Sequence, residues 1–499
     1  MLQFVKSSQQ SIKRAFSNAS FADVIKSAIR VSPLSLIRLA CGFFRSKIAA
    51  IFLGVAGVGL VGEANQFLLL ITTLGSLGMV NSLMQQMSLY RENNDEKSLQ
   101  LVKGTVLTSQ LSFLIIFALV VSIAYKPITL FFFNSQSSDF SILILIICIS
   151  SPLNVLASNY IEGFFTAYHR FDLYIKASSI ATILSLVLFI PAVYFWKVEG
   201  GLISIVTGEV VLFLLFLFYV VKLEKLKNVF VFKFDRSIFK LTFRDGTVNL
   251  FCSFMAGFSG LLLRQMVIKN TGEFNNGIYQ FCLSITAYYT PFLTNLLWAK
   301  YFPVISAKRI TDETKEIIQN TFLFIVVASS VVIIGLLISS ELVIRILATK
   351  DFTIAQRYLP FQFLGDYWYF IFYLYSIFLL AMRLIKRYLI MWVAYLALQY
   401  VLAKVLVVFW GLTGVIAGYS ISSMVLGLVS VWFFLKIISG RPIVIYKSIF
   451  TSFIFVVLEV VLTLLNVTIF IKLVLFAAWL YWFVKPIIGN KLKNSITVI

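Results

Sequence analysis

Fourteen apolar stretches, each long enough to cross a bilayer, alternate with polar connectors along the chain. A helix needs roughly 20 apolar residues to span the hydrocarbon core. The stretches run 33–54, 64–90, 101–124, 140–166, 171–195, 201–221, 247–268, 276–299, 317–339, 357–382, 387–409, 413–435, 443–465 and 469–488. The first two are joined by a glycine-rich link containing Gly54, Gly57, Gly59 and Gly62. Residues 1–30 differ. They are polar and basic, and Phe21, Val24, Ile25, Ala28 and Ile29 recur at helical spacing. That pattern fits a short helix on the membrane surface or an unstructured tail. No uninterrupted apolar core is present there, so a cleavable signal peptide is not expected.

Composition agrees with the pattern. The chain is 60% hydrophobic and 13% charged, with a mean hydropathy of +0.94, a balance that points to a polytopic helical membrane protein. The four cysteines, Cys41, Cys148, Cys252 and Cys282, lie in apolar stretches without CxxC spacing and read as small packing residues. The single histidine, His169, argues against a histidine-based metal site or triad.

The net charge of +21 suggests nucleic acid until the cations are placed along the chain. With the N-terminus in the cytosol, and with the span-end cations Lys103, Lys176, Arg387, Lys447 and Lys485 counted with the inner connectors and Arg357 with an outer one, 30 of the 42 Lys and Arg fall in the cytosolic tails and connectors, six outside and six within spans. This asymmetry is the positive-inside rule. It supports an even number of spans with both termini cytosolic, and it explains most of the charge without nucleic acid. No external connector is long enough for a catalytic domain, so an enzyme is not expected.

The chain also repeats itself. A shift of 214 positions sets Ala167 on Ala381, Tyr174 on Tyr388, Phe195-Trp196 on Phe409-Trp410, Gly200 on Gly414 and Lys222 on Lys436 without a gap. Duplication of a six-helix unit gives two lobes related by an axis along the membrane normal. The expected organisation is a tail at 1–30, an N-terminal lobe at 31–221, a cytosolic connector at 222–245, a C-terminal lobe at 246–437 and an additional hairpin with tail at 438–499.

The first span is where chemistry is expected. A charge at the centre of a membrane helix costs about 3 kcal/mol on insertion scales, yet this span carries Arg38, Arg45 and Lys47. Arg38 and Arg45 are seven residues apart and share a face, suited to a water-filled cavity with an anionic ligand. Arg38 also admits a snorkelling reading. Lys47 falls on the opposite face unless the helix bends near Gly42. Arg264, at the outer end of span 7, is the matching cation of the second half, or an interfacial snorkel. Among acids within spans, Asp366 and Glu209 are the candidates for balancing charge or carrying a coupling proton.

These features together resemble a known family. The stretches IRLACGFFRSKIAAIFLGVAGVGLVG, ITTLGSLGMVNSLMQQMSLY, LLLRQMVI, GIYQF with LWAKYFPVISAKRIT, and DFTIAQRYLPFQFLGD, spread over 32–437, are similar to those of the Wzx polysaccharide flippases for O-antigen and lipid III. That family sits with the MATE and MurJ transporters in the MOP superfamily. The resemblance implies an inner-membrane flippase carrying an undecaprenyl-diphosphate-linked oligosaccharide to the periplasmic leaflet by alternating access. It implies no cofactor beyond a coupling proton or sodium ion, and association with the polysaccharide polymerase and chain-length machinery. Arg38, Arg45, Lys47 and Arg264 would then bind the diphosphate. Two departures stand out: GEANQF replaces an outer-end Arg in span 2, and the hairpin 443–488 is extra. A drug or metabolite antiporter on the same fold is the competing reading, though its cavity is expected to favour acids over cations.

Overall fold

The computed structural model describes residues 32–133, 138–307, 312–437, 442–465 and 467–480. The tail at 1–30 and the last part of the predicted span 469–488 lie outside the described residues. Every regular element among the described residues is helical. The helices are α1 (Ser32–Gly75), α2 (Val80–Glu92), α3 (Glu96–Phe133), α4 (Ser138–Val155), α5 (Glu162–Ala167), α6 (Phe171–Val221), α7 (Leu226–Val229), α8 (Arg236–Thr271) and α9 (Glu273–Leu296). They continue as α10 (Phe302–Ala307), α11 (Asp312–Ile338), α12 (Ser340–Leu347), α13 (Leu359–Ala381), α14 (Ile385–Trp410), α15 (Leu412–Ile437), α16 (Pro442–Leu464) and α17 (Ile469–Trp479). Among the described residues nine helical stretches are long and apolar enough to cross a membrane, with shorter apolar helices in the final hairpin. The chain is a multi-pass membrane protein. Below, the end of the bundle that bears the basic connectors is called inner.

Spans 1 and 2 are the two limbs of α1, which reverses at Gly54 (φ 67°). The reversal shows in the contacts: past Gly54, Gly59 meets Gly277 and Gly62 meets Gln280, so the returning limb runs in the same direction as α9. The predicted second span is broken, because α1 stops at Gly75 and α2 starts at Val80, with Leu77 and Gly78 at positive φ. Polar groups freed by a break inside a membrane must find partners. Here Gln110 Nε2 donates to the Ser76 carbonyl at 3.1 Å, and the Gly78 amide donates to Ser76 Oγ at 3.1 Å. The reason for the break is close approach: Gly78 lies backbone to backbone against Gly246 of α8. The α4–α5 span is wound wider at Leu156–Ile161, and the α9–α10 span at Leu297–Tyr301, each a π-turn.

The 214-residue repeat reappears as geometry. His169 and Arg383 both adopt positive φ, and the surrounding bonds match position by position. His169 N donates to Thr166 O as Arg383 N does to Leu380 O; Arg170 N donates to Phe165 O as Leu384 N does to Leu379 O. At the outer end Lys197 (φ 44°) corresponds to Gly411 (φ 55°), each directly after a Phe-Trp pair. Gly200 then packs on the Ala192 carbonyl as Gly414 packs on that of Leu406. Two unrelated hairpins would not share these turns in register.

The segment between α6 and α8 is fastened to the N-terminal half. Val229 is buried, with its carbonyl accepting from Tyr160 at 2.5 Å. Thr105 Oγ1 accepts from the Asp235 amide at 3.0 Å, and Gly104 lies against the Lys233 backbone. Asp235 then caps α8 by accepting from the Ser237 and Ile238 amides, each at 2.9 Å. The last hairpin packs on α11 and α13: Tyr367 donates to the Ile449 carbonyl at 3.2 Å, and Phe453 lies 5.1 Å from the Trp368 ring.

Lys103, read from sequence as part of an inner connector, is only 1% exposed and lies 3.7 Å from Glu224. Tyr168 also bonds Glu224, and Asn228 donates to it at 2.8 Å. Burial pushes the Glu224 carboxyl up, but these donors and the Lys103 charge outweigh it and hold it below the ordinary carboxylate value. Its share of stability is therefore present above that ordinary value and fades as the pH falls through the lowered one. Removing one member of a buried pair costs about 3 kcal/mol, whereas replacing both can be close to neutral. Glu224→Gln is thus expected to lower the thermal midpoint of the detergent-solubilised protein by several degrees. Adding Lys103→Met should recover most of the loss, and a further fall on adding it would contradict the pairing.

Candidate functional site

Where α9 faces the N-terminal half, the face can be read residue by residue. Gly277, Gln280, Ser284, Tyr288, Pro291, Asn295 and Trp298 recur at helical spacing on one side. The outer members of this row are covered. A Cβ on Gly59 would come within 2.7 Å of the Gly277 amide nitrogen, Gly62 abuts Gln280, and Tyr288 donates to the Gly42 carbonyl at 2.9 Å and bonds Ser46 at 2.7 Å. The inner members, Pro291, Asn295 and Trp298, are exposed. The two halves therefore touch at the outer end of this seam and part toward the inner end.

The outgoing limb of α1 borders that gap and carries the three cations expected to act together. It is regular through Gly42; only Gly54 departs from helical geometry. Arg38 and Arg45 accordingly point into the N-terminal half. Arg38 Nη2 donates to Ser178 Oγ at 2.7 Å, and Glu162 and Tyr174 both interact with it electrostatically. Arg45 lies half-buried with Nη2 3.4 Å from Ser204 Oγ and its guanidinium 4.7 Å from the Phe189 ring centre.

Lys47 goes the other way, on the face that helical spacing gives it when the helix does not bend at Gly42. Its Nζ donates to the carbonyls of Arg345 at 2.8 Å and Ala348 at 2.6 Å. These close the C-terminal end of α12, where the helix dipole favours a cation. The physical reason is the 200° rotation between positions 45 and 47 on a straight helix, about 100° per residue.

Arg264 is not in this group either. It is 4% exposed on α8, bonds Gln280, and lies 5.9 Å from the Tyr279 ring centre. The carboxylate whose charge reaches it is Glu63, not Asp366. Glu63 is 2% exposed on the returning limb of α1 and was not among the acids singled out from sequence. The available signal was GEANQF, which sets an acid where the resemblance predicts an arginine. Asp366 is enclosed by neutral donors. Thr286 Oγ1 donates to it at 2.9 Å and Tyr419 at 2.5 Å, Tyr289 also donates, and Gln362 lies at 3.4 Å. Glu209, half-buried on the returning limb of α6, interacts with Asn154, whose Oδ1 accepts from Ser158 at 2.8 Å. Neither acid makes an ion pair among the described residues.

One cation thus reaches across the outer seam, in addition to the glycine and Tyr288 contacts. Hydrogen bonds to a charged group contribute about 1.5–3 kcal/mol each, so losing both of those from Lys47 should shift closure by at least roughly tenfold. Lys47→Met is expected to raise the rate at which a membrane-impermeant maleimide labels a cysteine introduced at Ala348 in a cysteine-free background. An unchanged rate would show that the seam holds without it.

Comparison with known proteins places this geometry. No curated protein sequence matches the chain. Among solved structures it resembles an inward-facing multidrug resistance MATE transporter of the MOP superfamily, with a TM-score of 0.69 at 16% identity over 83% of this chain and 99% of that one. It also resembles the lipid II flippase MurJ in an inward closed conformation, with a TM-score of 0.61 at 16% identity over 91% of this chain and 99% of that one. A MOP superfamily transporter from Pyrococcus furiosus, described for the reverse polarity of its binding pocket, gives a TM-score of 0.61 at 16% identity over 83% and 96%. The fold is the MATE/MurJ transporter fold, two six-helix lobes with an added hairpin. The family model described as polysaccharide biosynthesis protein matches residues 36–307. With more than half of its length matched, the chain belongs to the polysaccharide biosynthesis protein family.

Proposed function

We propose that this protein is a flippase that moves an undecaprenyl-diphosphate-linked oligosaccharide, such as an O-antigen repeat unit, across the bacterial inner membrane by alternating access. The observation that carries this reading is the state of Arg38 and Arg45. Both guanidinium groups sit within the membrane-spanning part of α1, turned toward the N-terminal lobe and bonded to serine hydroxyls from α6. Among the described residues neither forms an ion pair; the charge of Glu162 reaches Arg38, whereas Arg45 interacts with Tyr288 and with no carboxylate. Two such positive charges at membrane depth favour an anionic guest, and the planar guanidinium fork suits a diphosphate.

The gap at the inner end of the lobe seam offers the entry side, facing the cytosol when both termini are cytosolic. Lys47 and the glycine contacts close the outer side; Arg264, already bonded to Gln280, joins the substrate only after the outer seam opens. Asp366 and Glu209 serve as coupling groups for a proton or sodium ion, each acid standing without a cation in contact. The polymerase and chain-length machinery are its expected neighbours, since they consume what it delivers. Asp366, 0% exposed behind three hydroxyls and an amide, is poorly placed as the carboxylate a cationic-drug antiporter would present to its substrate.

The test is complementation of a flippase-deletion strain, reading surface glycan and the accumulated lipid-linked intermediate. Arg45→Ala is expected to cut transport at least tenfold at normal expression and insertion, the loss matching about 1.5–3 kcal/mol for a charge-assisted contact. Arg45→Lys should retain part of the activity. Full transport by a well-inserted Arg45→Ala protein would refute the assignment.

A further inference from the structure

We infer that Trp298, supported by Tyr373, forms a stacking platform for a sugar ring on the C-terminal lobe wall of the inner gap. This rests on the carrier reading above and assigns the glycan, as distinct from the diphosphate, to a particular place.

The position of Trp298 is the first argument. Tryptophans of an interfacial belt lie on lipid-facing sides of helices. Trp298 instead continues the row of Gly277, Gln280 and Tyr288, whose outer members press against the other lobe. It is 42% exposed because the lobes have parted at its level, not because its side of the helix faces away from them. It also sits inside the π-turn Leu297–Tyr301, a distortion that re-aims side chains and recurs at functional sites.

The second argument is rigidity. The indole Nε1 donates to the Tyr373 hydroxyl at 2.9 Å, which pins the edge of the ring. Phe302 packs beside it at a centroid distance of 4.9 Å. Tyr373 in turn stacks on Tyr369 at 5.8 Å, and Tyr369 lies 6.5 Å from Tyr419, which donates to buried Asp366. An aromatic ring held by its polar edge offers its face, the surface that takes the apolar C–H face of a pyranose. Asn295, exposed one turn away on the same side, supplies an amide for sugar hydroxyls.

Depth orders the two walls. Counted from the contact between Gly42 and Tyr288, Arg38 lies four residues, about 6 Å, further in along α1, and Trp298 lies ten residues, about 15 Å, further in along the opposite wall. One wall of the gap thus carries cations, and the other carries aromatic rings nearer its inner mouth. A carrier held by its diphosphate on one lobe presents its sugars to the other.

The test measures binding of two synthetic lipids to the full-length protein in nanodiscs: undecaprenyl diphosphate, and the same lipid bearing a disaccharide. The wild type is expected to prefer the glycosylated lipid. Trp298→Ala should weaken that lipid by about three- to tenfold while leaving the bare diphosphate unchanged, and Trp298→Phe should keep most of the preference. Arg45→Ala should weaken both lipids. Equal binding of the two lipids by the wild type, or an equal loss of both in Trp298→Ala, overturns the platform and leaves the carrier reading standing. Binding of neither lipid by the wild type overturns both.

Discussion

Contact between bare backbones holds this molecule in its present shape. Gly59 and Gly277 meet at the outer end of one seam, and Gly78 and Gly246 meet toward the inner end of another. Only residues without a Cβ let two membrane helices approach so closely, and in lipid that packing replaces the hydrophobic drive available in water. The rest follows. With the outer ends of α1 and α9 pressed together, the inner end of α9 stands free, and the arginines of α1 border a gap on one side alone.

The second theme is how charge is accommodated where water is scarce. The molecule uses three solutions. Lys103 takes a counter-charge, Glu224. Lys47 takes carbonyls at a helix end. Arg45 takes a hydroxyl, which satisfies a donor without cancelling charge, and Arg38 takes a hydroxyl with the charge of Glu162 in reach. That third solution leaves a net positive field, and a field of that sign is what distinguishes a place for an anion from a structural pair.

Much of this was legible in the sequence, for a physical reason in each case. Span length and the placement of Lys and Arg are set by the bilayer, so element number and lobe structure follow from pattern alone. The 214-residue register was visible because the turns at His169 and Arg383 need the same backbone geometry, which keeps the residues around them in step. The opposed directions of Arg45 and Lys47 were readable from helical periodicity. What the pattern could not give were contacts between helices distant in sequence. Glu63 is unremarkable in a glycine-rich link until Arg264, two hundred residues away, is brought within reach of its charge. The break at Leu77–Gly78 is invisible to hydropathy, because a helix interrupted against another backbone stays as apolar as an unbroken one. Lys103 was misplaced for a related reason: a lysine at a span boundary reads as solvated unless its partner is known.

The connector between the lobes carries a mechanical consequence. Because Val229, Lys233 and Asp235 are tied down to α3 and the α4–α5 span, the tether joining the two lobes has no slack to pay out. The lobes are not free to drift apart like beads on a string. The grip continues past the Asp235 cap, with Ile238, Phe239 and Phe243 packed on the N-terminal core and Gly246 against Gly78, so the start of α8 is anchored to the first lobe as firmly as the connector itself.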